Sequence, residues 1–219
     1  MLIQYDTYGR EQDMEQLRAE DISFDGKHVA LMFGVSARGE SVKTGSNQGV
    51  IICRSPVADV CLGLRPKTGA EKLFKSSQVQ FRKLWHKACG ALGISFTGPP
   101  HSLRHAGPSE DISRGRASLE VVRRRGRWRS MDSVQRYSKT FALTKYRSRM
   151  PETIRLRGER IAADLRGHLV EALMKLKTSD KRKAAVLTAL RRSACNDWQL
   201  ECGDDGGQKV SDDEGWMTE

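Results

Sequence analysis

The sequence predicts an α+β protein: a mainly helical domain with a small three-stranded antiparallel sheet near the N-terminus, followed by a C-terminal helical extension. Two patterns predict this. Apolar residues alternate on both sides of the Asp25-Gly26 pair, and the apolar period becomes helical beyond about residue 80. The chain of 219 residues, 38% hydrophobic and 30% charged, suits one domain with appendages.

The sheet is predicted from the first 53 residues. A short helix around residues 13–19 ends near Asp21, and the first strand follows at residues 22–24. Asp-Gly between alternating apolar residues is a hairpin signal, so residues 27–35, with Val29, Leu31 and Phe33 on one face, form the second strand. Residues 49–53 form the third, and the connection over residues 36–48 carries Lys43.

Helices are predicted for several segments beyond about residue 80. One apolar face contains Phe81, Leu84, Trp85, Ala88, Ala91 and Leu92, and Gly93 ends that helix. Ser118 and Ser130 are predicted N-caps of two further helices. Residues 161–176 are predicted to form one strongly amphipathic helix, and a shorter one follows Ser179. The apolar face of the 161–176 helix packs either on a partner protomer or on its own domain.

The charge is unevenly distributed. The formal net charge is +11, but residues 203–219 contain six acidic residues and one basic residue, so they carry −5 and residues 1–202 carry +16. Such a basic body favours a polyanionic partner, because each Lys or Arg that meets a phosphate releases counterions. The alternative is a merely solvated basic surface. The acidic end is predicted to be a disordered tail.

Other features limit the protein class. The apolar runs fall far short of the roughly 20 residues that a membrane-spanning helix needs. The five cysteines form no CxxC pair and are interpreted as reduced thiols, with no metal site among them. We therefore expect an intracellular protein.

Several residues are suited to phosphodiester chemistry. His101 and Arg104 lie three positions apart, on one side of a helical turn, and an arginine fork can hold a phosphate through two hydrogen bonds. Trp128 has an indole N–H donor, and Tyr137, nine positions later, has a phenol that can act as a nucleophile. Tyr146 is the competing tyrosine.

These motifs resemble those of the tyrosine recombinases, the phage-integrase-like superfamily. Residues 101–105 (HSLRH), then 126–128 (GRW) and 136–137 (RY), are similar to the second half of that family's catalytic domain. Residues 6–10 (DTYGR), with Arg18 eight and Asp21 eleven positions after Arg10, resemble its first arginine motif. Lys43, in VKTG at residues 42–45, is similar to the lysine of the family's strand connection. The resemblance covers roughly residues 5–140.

The resemblance implies cleavage and rejoining of DNA strands in site-specific recombination or integration. Tyr137 would form a 3′-phosphotyrosyl link, Arg10 and Arg104 would hold the phosphate, and Lys43 would act as general acid. His101 would act as base or hydrogen-bond donor, and Trp128 would donate its N–H to the phosphate or support the Tyr137 helix. The family needs no metal or cofactor. The expected partner is double-stranded DNA, bound by a homo-oligomer, with no membrane involved.

The resemblance also divides the chain. Residues 1–140 would be the catalytic domain without the family's N-terminal clamp domain, residues 141–202 a basic helical extension, and residues 203–219 the acidic tail. Five arginines near the GRW motif are predicted to contact neighbouring DNA phosphates: Arg123, Arg124, Arg125, Arg127 and Arg129. The alternative function is a non-catalytic or degenerate basic DNA-binding protein derived from a mobile element.

Overall fold

The computed structural model describes residues 1–40, 45–94, 98–135, 140–177 and 180–192. In these ranges the helices and strands follow one another as α1 (Leu2–Asp6), α2 (Glu11–Gln16), β1 (Ile22–Phe24), β2 (Val29–Phe33), β3 (Gln48–Ile52), α3 (Ser55–Leu64), α4 (Gln78–Ala91), α5 (Ser102–Ser113), α6 (Leu119–Arg125), α7 (Met131–Gln135), α8 (Thr140–Arg149), α9 (Glu152–Ala163), α10 (Leu165–Lys175) and α11 (Lys181–Arg192). The predicted α+β class, mainly helical with a small sheet near the N-terminus, is confirmed.

The sheet has the order β1-β2-β3, and both pairs of strands are antiparallel. The hairpin between β1 and β2 turns at Asp25, whose Oδ1 accepts the backbone N–H groups of Lys27 and His28 at 2.8 and 2.6 Å. Gly26 has a φ of +98°, which explains the glycine there. Alternate strand residues enter the core, as the sequence predicts for Val29, Leu31 and Phe33.

The larger core lies between the sheet, α2 and α3, and it includes Leu17, Ile22, Leu31 and Val57. Leu165 at the start of α10 belongs to the same core. Part of the helical extension therefore packs on its own chain, as in the second of the two alternatives. The helix predicted over residues 161–176 is divided at Asp164, because its Oδ1 accepts the backbone N–H of Gly167 at 2.8 Å and caps α10.

The final described helix, α11, packs closely against α3. A Cβ on Gly63 would lie 2.5 Å from the Cα of Val186, so a side chain larger than hydrogen at position 63 would push the helices apart. Arg166 joins α10 to both helices, through its ion pair with Asp59 at 2.6 Å and its hydrogen bond to the Leu190 carbonyl at 2.7 Å.

A smaller core positions the motifs of interest. Tyr8, Val122, Trp128 and Val134 form it, between the end of α1 and helices α5, α6 and α7. Helix α5 lies directly on α1, because Gly107 has no side chain. A Cβ at this position would lie 2.4 Å from the Tyr5 carbonyl oxygen.

Both predicted serine caps are present. Ser118 Oγ accepts the backbone N–H of Val121, and Ser130 Oγ accepts that of Ser133. These caps fix where α6 and α7 begin, on either side of the GRW motif. None of the described helices is long and apolar enough to cross a membrane.

Candidate functional site

Two fully buried carboxylates, Asp6 and Asp111, pair with arginines next to the predicted site residues. Asp6 pairs with Arg54 at 3.0 Å and with Arg125, and it also accepts the backbone N–H groups of Cys53 and Arg54. Asp111 accepts a hydrogen bond from Arg54 Nη2 at 2.6 Å. We call Asp6, Arg54, Asp111 and Arg125 the structural network, because it ties α1, α3, α5 and α6 together.

Tyr8 connects this network to Arg104. Its backbone has a φ of +51°, an uncommon conformation for a bulky residue, and its hydroxyl donates to Asp111 Oδ2 at 2.6 Å. Burial, and then the charge of Asp111, raise the pKa of Tyr8 far above its usual value. Tyr8 is therefore a buried phenol whose hydrogen bond joins the end of α1 to α5.

Arg104 lies at the centre of the site. It is 1% exposed, and its guanidinium donates from Nη1 to the Tyr8 carbonyl and from Nη2 to the Gly126 carbonyl at 2.9 Å. The guanidinium also lies over the indole of Trp128, with 4.8 Å between Cζ and the ring centroid. Two predicted site residues, Arg104 and Trp128, are thus in direct contact.

The GRW motif forms a tight turn after α6. A Cβ on Gly126 would lie 1.8 Å from the ring of Trp128, so only glycine fits there. Arg127 has a φ of +57°, and Trp128 is 6% exposed, its ring 6.2 Å from that of Tyr8 and roughly parallel to it. The motif therefore presents the Gly126 carbonyl and the indole face to Arg104.

Arg10 and Arg127 meet at one carboxylate. Asp13 Oδ2 accepts the backbone N–H of Arg10 at 2.9 Å, at the start of α2, and it also accepts Arg127 Nη2 at 2.9 Å. Among the described residues, none accepts a hydrogen bond from Nη1 of Arg10 or from Nε and Nη1 of Arg127, although all three atoms are buried. We call Arg10, Asp13, Arg104 and Arg127 the arginine cluster, since it has three guanidiniums and one carboxylate.

His101 borders the arginine cluster where α5 begins. Its side chain is half-buried, and its pKa is lowered by burial first and then by the charge of Arg104. Glu11 opposes that shift, and Arg10 adds to it. His101 is therefore mainly neutral at pH 7 and can accept or donate one hydrogen bond beside the two arginines.

The five arginines predicted to contact DNA occupy different environments. Arg125 is buried, and its nitrogens donate to Asp6, to the Ile51 carbonyl at 2.7 Å and to Cys53 Sγ at 2.7 Å. Arg127 is buried against Asp13. Arg123 is partly exposed and pairs with Glu120 at 2.7 Å, whereas Arg124 and Arg129 are exposed.

The structure brings together Arg10, His101, Arg104 and Trp128 from the predicted set. Lys43 and Tyr137 lie outside the described residues, as do the side chain of Tyr146 and residues 203–219.

Sequence reasoning missed three contributors, Tyr8, Asp13 and Asp111. For Asp13 a signal was available, because an acidic residue three positions after Arg10 is suited to capping a helix.

No protein-family model matches the chain, and no curated protein matches it. No group of three or more His, Cys, Asp or Glu side chains in the described part of the chain is arranged to hold a metal ion.

Proposed function

We propose that the protein cleaves and rejoins DNA strands in site-specific recombination or integration, through a 3′-phosphotyrosyl intermediate. The observation that carries the proposal is the arginine cluster, whose three guanidiniums lie near one another beside His101. Its one carboxylate, Asp13, pairs with the guanidinium of Arg127 and accepts the backbone N–H of Arg10. When a phosphodiester is attacked, negative charge builds up on the oxygens around the phosphorus. Positive charges held together in advance stabilise that transition state.

The reaction follows from the residue types. The phenolate oxygen of Tyr137 attacks the scissile phosphorus, and the bond from phosphorus to the 5′ oxygen breaks. Lys43 gives its proton to that departing oxygen, while Arg10 and Arg104 neutralise the non-bridging oxygens. Attack by the released 5′ hydroxyl on the phosphotyrosine reverses these steps, so the covalent link conserves the bond energy without a cofactor.

Each remaining residue of the site has a role in this proposal. His101, neutral and beside both arginines, acts as the base that takes the proton of the Tyr137 hydroxyl, or donates a hydrogen bond to the phosphoryl oxygens. Trp128 holds Arg104 in place through the contact of the guanidinium with its ring. Arg124 and Arg129, both exposed, and the partly exposed Arg123 are suited to contact flanking DNA phosphates in an oligomer assembled on double-stranded DNA.

A suicide DNA substrate, nicked so that the cleaved end diffuses away, tests the proposal. The full chain should form a covalent protein–DNA adduct that survives denaturation. Tyr137→Phe should abolish the adduct, and Tyr146→Phe, the matched control, should keep it. An adduct that persists in Tyr137→Phe and disappears in Tyr146→Phe would show that the nucleophile is Tyr146, and it would contradict the role proposed for Tyr137.

One observation favours the second candidate function, a DNA-binding protein without cleavage activity. Arg104 is 1% exposed and two of its nitrogens are held by backbone carbonyls, so it contributes to the fold as well as to a phosphate site. Salt-sensitive DNA binding with no adduct on any suicide substrate would support this candidate and reject cleavage.

A further inference from the structure

Arg127 is placed in an unusual way for an arginine. It is 8% exposed, and its φ of +57° is in the left-handed region, where an arginine is uncommon. The guanidinium stacks on the ring of Phe33, with 4.5 Å between Cζ and the centroid. Residues held in such conformations within a packed interior often serve a site and not only the fold.

Most of its hydrogen-bonding capacity is unused. Nη2 donates to Asp13, but in the described part of the chain nothing accepts a hydrogen bond from Nε or Nη1, and both atoms are buried. Buried donors that lack an acceptor are rare in proteins and cost free energy, more so when they carry charge. An oxygen-rich anion would satisfy them.

Two short connections link Arg127 to the other arginines. Its partner Asp13 Oδ2 also accepts the backbone N–H of Arg10. The Nη1 of Arg10 is itself buried, and no described residue accepts a hydrogen bond from it. On the other side, the residues before and after Arg127 both contact Arg104, through the Gly126 carbonyl and the Trp128 ring. Asp13 therefore contacts the backbone of Arg10 and the guanidinium of Arg127, and the charges of Arg10 and Arg104 both act on Arg127.

The local charge points to an anion. Three arginines and one carboxylate leave an excess of two positive charges, whereas the neighbouring Arg125 is compensated by Asp6. Burial, and after it the charges of Arg104, Arg10 and Arg125, lower the pKa of Arg127 to about 10 against the pull of Asp13. A bound phosphate would relieve that repulsion.

We propose that Arg127 is a third phosphate-binding guanidinium, which donates from Nε and Nη1 to an oxygen of the phosphate group that Arg10 and Arg104 hold. The inference deepens the proposed function and rests on it for the identity of the ligand, a phosphodiester of DNA. Phosphate binding itself depends only on the arginine cluster, so a free phosphate anion is the appropriate first probe.

Binding of inorganic phosphate to the full chain, measured by isothermal titration calorimetry at low ionic strength, tests the role of Arg127. Arg127→Gln should weaken the binding about tenfold or more, because two charge-assisted hydrogen bonds are lost. Arg157→Gln removes one positive charge from an exposed position in α9 and should change the affinity less than about twofold, because that charge is screened. Equal affinities of the two folded variants would overturn the proposal and leave Arg127 with a structural role beside Asp13.

A second measurement covers the case in which Arg127→Gln does not fold. Arg127→Lys keeps a positive charge for Asp13 but lacks the guanidinium. The Nε–H signal that is present in the ¹H–¹⁵N NMR spectrum of the unaltered protein and missing from that of Arg127→Lys therefore belongs to Arg127. That resonance should shift on addition of phosphate. A resonance that stays unchanged while phosphate binds would reject the inference.

DNA substrates separate this inference from the proposed function. If unaltered protein binds phosphate through Arg127 but forms no adduct with the suicide substrate, then the anion site stands and cleavage fails. If unaltered protein and Arg127→Lys form adducts at the same rate and bind phosphate equally, the role of Arg127 fails while cleavage stands.

Discussion

Arg125 and Arg127 lie two positions apart, yet the structure uses them in opposite ways. Arg125 belongs to the structural network, where carbonyl, carboxylate and thiol groups of Asp6, Ile51 and Cys53 take up its donors. Arg127 belongs to the arginine cluster, where Asp13 is its hydrogen-bond acceptor among the described residues. Burial alone therefore does not say how an arginine is used, because the number of acceptors around its guanidinium differs. On our proposal, a phosphate makes up the shortage around Arg127.

The largest effect is expected in the structural network. Asp6→Asn removes the carboxylate charge between Arg54 and Arg125 and leaves two buried guanidiniums short of compensation, which should cost about 3–5 kcal/mol of unfolding free energy. Urea denaturation measures this loss. Glu120→Gln breaks the exposed pair with Arg123 and should leave the urea midpoint nearly unchanged. Similar losses in both variants would contradict the distinction.

The next effect concerns the turn between the two regions. Gly126→Ala would place a methyl group inside the Trp128 ring volume, and the overpacking should cost about 1–3 kcal/mol or more in urea denaturation. The matched control is Gly90→Ala in α4, where a Cβ meets nothing within 4 Å. That change should stabilise by about 0.5–1 kcal/mol, because alanine favours the helix. A neutral Gly126→Ala would show that the turn is not tightly packed.

A smaller effect on stability is expected within the arginine cluster. Arg10→Gln removes a guanidinium whose Nη1 has no acceptor among the described residues, so thermal or urea denaturation should change by less than about 1 kcal/mol. On the proposed function, the same variant should slow adduct formation by about 100-fold or more. A large loss of stability would instead place Arg10 with the structural arginines.

The smallest effect is the pH dependence due to His101. Because its pKa is lower in the folded protein than the ordinary 6.5, the unfolded chain takes up the proton first, and this residue reduces stability as the pH falls through about 6.5. Above that pH the contribution vanishes. The stability difference between unaltered protein and His101→Gln should therefore vary with pH below 6.5. A difference that is flat with pH would contradict the lowered pKa.

Local patterns predicted much of the fold. The Asp25-Gly26 turn, the alternation in β2 and the serine caps of α6 and α7 depend on residues within a few positions of each other, and the structure confirms them. Helix α3 was not predicted. Its buried residues Val57 and Cys61 belong to the core that the preceding sheet also lines, while its Gly63 contacts α11 far along the chain. Because two sides of α3 are covered, its local period is weak.

The candidate site was predictable only in part. His101 and Arg104 share a helical turn, which the sequence shows directly. By contrast, the burial of Arg125 and Arg127 depends on Asp6 and Asp13, which are 119 and 114 positions away, and a run of arginines carries no information about such partners. Tyr8 was missed for a similar reason, since its partner Asp111 is 103 positions distant.

The contact of α11 with α3 determines how the protein should be shortened for experiments. Arg54 immediately precedes α3 and reaches Asp6, so a fragment that ends before Lys181 would uncover one side of α3 and loosen the support beneath the arginines. Fragments that include Arg192 retain the contact of α11 with α3, and they are suited to tests of the proposed DNA cleavage.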